Sequence, residues 1–182
     1  MFQKLNILDE KDKRLRMKSK DVIFPLSKED KKFIQKAIDE LTYSQIPKYS
    51  EKYDLRPGMG LAFPQLGFLK RIIIIVHEVE EGVFDNYVFI NPEIISSSEE
   101  IIAAEAGEGC LSVNREVEGH VPRHARVTVV GYDENGNKIK CRAREDLAIA
   151  FQHEIDHLNG ILFFDHINPK KPFYTEAEMR LI

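Results

Sequence analysis

The 182 residues are enough for one domain of ordinary size, here expected to be a single catalytic domain over residues 1–182, with a core that needs no disulfide support. Hydrophobic residues make up 43% of the chain, a globular composition and not a disordered one. The 26 basic and 30 acidic residues leave a net charge of −4, which argues against specific nucleic-acid binding, although a local basic patch is compatible with it.

The two cysteines, Cys110 and Cys141, are too few for a disulfide framework. The first 20 residues are rich in charge and contain no apolar signal segment. The longest aliphatic run, residues 72–76, is far too short to span a bilayer. These features predict a soluble cytoplasmic protein with no membrane partner and with both thiols free.

In chain order, Ser27 followed by Asp30 forms a capping box with Asp in place of Glu. Phe33, Ile34, Ala37, Ile38 and Leu41 then recur at helical spacing. Pro47 follows, and the polar stretch 48–57 reads as a loop. Residues 71–77 are apolar and β-branched and predict a strand. Residues 87–90 predict a short strand closed by the turn pair Asn91-Pro92, and 101–104 a third. Residues 126–132 and 138–142 flank a turn centred on Asn135-Gly136, a hairpin signal.

A second helix is predicted over 146–159, with Asp146 as its cap and Gly160 as the left-handed residue that ends it. It is apolar on more than one face, so it should be buried. Residues 161–164 would add a terminal strand. The order of elements predicts an α+β fold, with mainly antiparallel sheets packed around a buried central helix.

That helix carries His153-Glu154-Ile155-Asp156-His157, an H-E-x-x-H motif. Residues four apart share one face, so both imidazoles can reach one ion. Glu154 can then face a water beside that ion without ligating it. Such motifs also arise by chance on exposed helices. Here two His and a Glu sit in an apolar helix, where each unsatisfied polar group costs ~1–3 kcal/mol. A metal and its water would remove that cost.

An open catalytic site needs a third protein ligand. One protease pattern places a His six residues after the second, but that position is Phe163. Another uses a later Glu, for which Glu176 or Glu178 would serve, although both follow Pro169 and Pro172 near the chain end. This metallopeptidase arrangement is the alternative reading. Cys110, in the turn Glu108-Gly109-Cys110-Leu111-Ser112, is the better candidate, because a thiolate is a strong ligand for first-row metals. Cys141 has no ligand-type neighbours along its strand and reads as a small buried hydrophobe.

Three segments in this order resemble the peptide deformylase family: Gly58-Met59-Gly60-Leu61-Ala62-Phe63-Pro64-Gln65, Glu108-Gly109-Cys110-Leu111-Ser112, and Gln152-His153-Glu154-Ile155-Asp156-His157. Ile90-Asn91-Pro92 and Val121-Pro122-Arg123 between them fit as well. The run Tyr53-Asp54-Leu55-Arg56-Pro57 resembles the longer form found in many Gram-positive bacteria. The resemblance implies a hydrolase that removes the formyl group from the N-terminal formyl-methionine of new polypeptides, and with it transient proximity to the ribosome.

The resemblance also implies site roles. Cys110, His153 and His157 would hold one divalent metal, Fe2+ with Zn2+, Ni2+ or Co2+ as replacements. Glu154 would be the general base. The Gln65 amide and the Leu111 backbone N–H would face the developing oxyanion. The edge at Met59 and Gly60 and the turn at Gly109 would pair with the peptide backbone. Ile149 and Ala150, on the His153 face of the helix, would line a methionine pocket. Where the family usually has a second Ala, this chain has Phe63, whose ring is expected to alter packing beside the metal or narrow the substrate groove.

Overall fold

The computed structural model describes residues 2–173 and 179–182. Two helices come first: α1 (Lys28–Gln45) and α2 (Pro47–Tyr53). Strands β1 (Gly60–Ala62), β2 (Ile72–Glu80), β3 (Val83–Ser97), β4 (Ile101–Ala103), β5 (Arg123–His124), β6 (Arg126–Tyr132) and β7 (Lys138–Arg144) follow. Helix α3 (Glu145–Leu158) and the short strand β8 (Arg180–Leu181) complete the order. Five strands form an antiparallel sheet, β1-β2-β3-β6-β7. A smaller sheet runs β5-β4-β8, with β4 and β8 parallel.

Strand β2 explains the uninterrupted aliphatic run. Ile73 and Ile75 join Phe89, Val129, Phe151 and Ile155 on one face of the large sheet. Ile72, Ile74 and Val76 join Ile34, Ala37 and Leu41 of α1 on the other. A strand buried on both faces loses the alternation that a half-exposed strand shows. Helix α3 lies on the first face, and its Ile149 reaches Ile102 and Ala125 beside the small sheet. Burying one ring such as Phe151 contributes about 1.5–3 kcal/mol.

The ends of the elements are set locally. The Ser27 hydroxyl accepts from the Asp30 N–H at 3.0 Å and starts α1. Gly160, at φ 74°, ends α3: its N–H donates to the His157 carbonyl at 3.2 Å, and that of Ile161 to Asp156 at 3.0 Å. This is the paired C-terminal cap that left-handed Gly permits. In the hairpin, Asp133 accepts the N–H groups of Asn135 and Asn137 at 2.8 and 2.9 Å, with Gly136 at φ 83°.

Five local expectations change. Residues 47–53 are helix α2 and not loop: Pro47 sits at the first helical positions, where its missing N–H costs nothing, and Tyr43, Tyr49 and Tyr53 stack across the junction. Strand β3 does not stop at Asn91-Pro92. A bulge with Asn91 at φ 51° admits the proline, and the Asn91 amide exchanges two hydrogen bonds with the Val22 backbone. Residues Phe163–His166 form a 3-10 turn where a strand was expected. Asp146 does not cap α3, because the helix starts directly out of β7 with Arg144 as an extended cap residue lacking a side-chain bond. Finally, the Phe63 ring is fully buried in the core under α1, beside Phe68 and Ile74. It fills that core instead of narrowing the groove.

Candidate metal centre

Three elements converge on one point. Helix α3 presents His153, Glu154 and His157, the turn after β4 presents Cys110, and the 3-10 turn Phe63–Leu66 presents Gln65. The ligand atoms of Cys110, His153 and His157 lie within 4.8 Å of one another. Cys110 Sγ is 3.3 Å from His157 Nε2. Glu176 and Glu178, the alternative third ligands, lie outside the described residues.

Two of the three candidate ligands, His153 and Cys110, are held from behind. Glu108 Oε2 accepts from His153 Nδ1 at 2.8 Å, which turns Nε2 toward the cluster. Burial alone would raise the Glu108 carboxyl, but hydrogen bonds from His153 and Arg123 overcome it and hold the group at about 2. Arg123 grips both Glu108 oxygens, at 2.8 and 3.1 Å, and reaches Asp156 at 2.6 Å. His166 bonds the same Asp156 oxygen at 2.8 Å. The Cys110 turn is clamped by Arg56, which donates to the carbonyls of Cys110, Leu111 and Val113. The Phe163 ring lies parallel to His153 at 6.0 Å.

Gln65 is buried, not a surface turn residue. Its Oε1 accepts from the Ala62 N–H at 2.8 Å, and its Nε2 donates to Ser112 Oγ at 3.1 Å and toward Cys110 Sγ at 3.6 Å. Gly60 and Gly58 are needed for close approach, but of side chains within the protein. A Cβ on Gly60 would sit 2.3 Å from Glu154 Oε1, and one on Gly58 would sit 2.9 Å from the Leu111 side chain. At Gly109 a Cβ would meet open space.

Two polar atoms in this buried cluster have no partner, Glu154 Oε2 and His157 Nδ1. Burial pushes the Glu154 carboxyl up to about 7. Burial holds His157 well below the usual imidazole range. A thiol, two imidazoles and an unpartnered carboxylate around one point fit a divalent cation with an open position. Cys110, His153 and Glu154 border a cleft of about 900 Å³, which Met59, Gly109, Leu111, Ile149 and Ala150 also line. Cys141 stands apart, half-buried against the core, where burial raises its thiol.

Glu108, Arg123, Asp156 and Arg56 fall inside the segments that carry the family resemblance, but nothing in the sequence marks them, or His166, as supports of the candidate ligands. Glu108, beside the Cys110 turn, had the nearest thing to a signal: a carboxylate two residues from a ligand.

Fold and donor set together are those of a metal-dependent hydrolase, with the three residues that could hold the metal on an H-E-x-x-H helix and a separate turn. The chain belongs to the polypeptide deformylase family, whose model matches residues 4–173. These enzymes remove the N-terminal formyl group, and the family is metal-dependent. A peptide deformylase 2 of Bacillus anthracis is 44% identical over 173 residues, covering 95% of this chain and 94% of its own length. The peptide deformylase of Halalkalibacterium halodurans is 48% identical over 168 residues, covering 92% of each. The crystal structure of the peptide deformylase from Thermotoga maritima superposes with a TM-score of 0.72 at 32% identity, over 92% of this chain and 99% of that one. No described helix is long and apolar enough to cross a membrane.

Proposed function

We propose that this chain is a single catalytic domain, organised around α3, that deformylates N-formylmethionyl nascent polypeptides in the cytoplasm, in transient proximity to the ribosome. Cys110, His153 and His157 hold the metal, which is Fe2+ with Zn2+, Ni2+ or Co2+ as replacements. A divalent cation there polarises the formyl carbonyl and acidifies water to near neutral pH.

The chain's own groups do the rest. Glu154 accepts the proton of the attacking water and returns one to the departing amine nitrogen. Gln65 Nε2 and the Leu111 N–H stabilise the charge that builds on the formyl oxygen. Met59, Gly60 and Gly109 offer backbone to an extended peptide, which adds as a strand to the exposed edge. Gly109 suits this role because its α-carbon faces open space. Ile149 and Ala150 border the cleft four and three residues before His153, where a methionine side chain fits.

The observation that carries this reading is the Glu154 oxygen, buried and unpartnered beside the three ligand atoms. The test is formate release from a formyl-methionyl peptide, run anaerobically with the metal content measured. Glu154→Ala should keep its metal and lose most turnover. A metal-loaded Glu154→Ala protein with near-normal activity would remove Glu154 from the base role.

A further inference from the structure

Residues 8–19 hold none of the candidate ligands, yet they touch every element that presents a site residue. The Leu8 N–H donates to the Gln65 carbonyl at 2.8 Å, and the Glu10 N–H donates to the Ser112 carbonyl at 2.7 Å. Two N–H groups two residues apart thus join the turn of Gln65 to the turn of Leu111 and Ser112, and Gln65 and Ser112 are 47 residues apart in sequence. Side chains repeat the second link. Asp9 accepts from Asn114 Nδ2 at 2.8 Å, and Glu10 holds Arg115 by hydrogen bonds of 2.8 and 3.1 Å. The Glu10 side chain is only 14% exposed. The far end of the segment reaches α3. The Ser19 N–H donates to the Leu158 carbonyl at 2.8 Å, and a Cβ on Gly160 would stand 2.6 Å from the Arg16 carbonyl oxygen.

We infer that residues 8–10 are a positioning strap, with Glu10 as its side-chain anchor, that holds the Gln65 amide and the Leu111 N–H at a fixed separation. The inference rests on the reading of these two groups as oxyanion donors. They come from different elements, so no local backbone geometry sets the distance between them. Gln65 Nε2 does bond Ser112 Oγ directly, at 3.1 Å, but that contact ties only the tip of a side chain. The strap ties the two backbones. Donors stabilise an oxyanion only where they already stand at the place the charge will occupy. A displacement of about 1 Å can cost about 100-fold in rate. The peptide backbone is read at Met59, Gly60 and Gly109, with which residues 8–10 form no hydrogen bond. Loosening the strap therefore removes stabilisation made in the transition state and leaves ground-state binding in place. A terminal segment that only adds stability predicts a lower unfolding midpoint with unchanged turnover per folded molecule.

The test measures formate release from a formyl-methionyl peptide by metal-loaded enzyme, at a temperature where circular dichroism shows each variant folded. Glu10→Ala should lower kcat about tenfold and change KM by less than about twofold, with metal content intact. Glu10→Gln keeps the length of the side chain and one acceptor for Arg115, and should lose less. Lys4→Ala removes an ion pair of the same terminal segment, with Asp54 at 3.6 Å, that meets neither donor turn, and should keep kcat. In a Gln65→Leu background Glu10→Ala should cost little more, because a separation between two donors has no effect once one is missing. Unchanged kcat in Glu10→Ala overturns the inference. So does a Glu10→Gln variant as slow as Glu10→Ala, and so do losses that multiply in the Glu10→Ala/Gln65→Leu protein. The Gln65→Leu variant separates the two readings. Full turnover in it removes the oxyanion role and the strap with it, whereas slow turnover beside a normal Glu10→Ala removes the strap alone.

Discussion

Glu108 Oε2 and His153 Nδ1 are joined at 2.8 Å, across 45 residues of sequence. An ionised carboxylate can only accept, so Nδ1 must carry the proton and Nε2 is left free for a metal. Glu108→Gln can donate to Nδ1 and stabilise the wrong tautomer. It should weaken metal binding by about 10–100-fold, the usual effect of losing a partner behind a ligand. Competition with a chelator measures this, and unchanged affinity would show that Glu108 does not orient His153.

The same carboxyl should leave a signature in acid. Its folded value of about 2 lies below the ordinary 4.5. A depressed carboxyl contributes stability that is present above the unfolded value and lost as pH falls from about 4.5 toward 2. The shift corresponds to roughly 3 kcal/mol. Urea midpoints of the metal-stripped protein should fall through that window, and Glu108→Gln should show a shallower fall. Identical slopes would contradict the assignment.

Gly60→Ala should disable turnover without removing the metal. The added methyl would meet Glu154 Oε1 at 2.3 Å, and the carboxylate must move to make room. A misplacement of about 1 Å can cost about 100-fold in rate. Gly109→Ala, with nothing near its Cβ, should leave Glu154 undisturbed. Normal kcat with full metal content in Gly60→Ala would show that the carboxylate position is not critical.

The two thiols should separate cleanly. Cys110→Ser should weaken or alter metal binding, because a hydroxyl is a poorer ligand than a thiolate. Cys141→Ser, on β7 against the core, should keep normal metal content. Elemental analysis of the two variants decides, and equal metal loss in both would sink the assignment.

Ala150→Phe should obstruct methionine. Ala150 packs in the core beside Phe151 and also borders the cleft. Activity on formyl-methionyl peptides should fall with metal content normal, and formyl peptides with a smaller first side chain should lose proportionally less. An unchanged methionine preference in the folded, metal-loaded variant would place the pocket elsewhere.

Local interactions made part of this protein readable from its sequence alone. The Ser27 cap, the hairpin turn around Asp133 and the Gly160 terminus depend on neighbours within a few residues. The i, i+4 spacing of His153 and His157 likewise fixes them on one helix face. Cys110 was readable through its ligand chemistry and the family resemblance of its turn, since nothing local ties it to a helix that begins 35 residues later. What the tertiary structure decided is long-range: the inward turn of Phe63, the burial of Gln65 against Ser112, the α2 helix held by stacked tyrosines, and the Glu108–Arg123–Asp156 network behind the ligands. The physical reason is that periodicity reports which face of an element is apolar. Which distant charge or ring meets that face is settled only when sheets and helices pack, and there the low dielectric makes each pairing decisive.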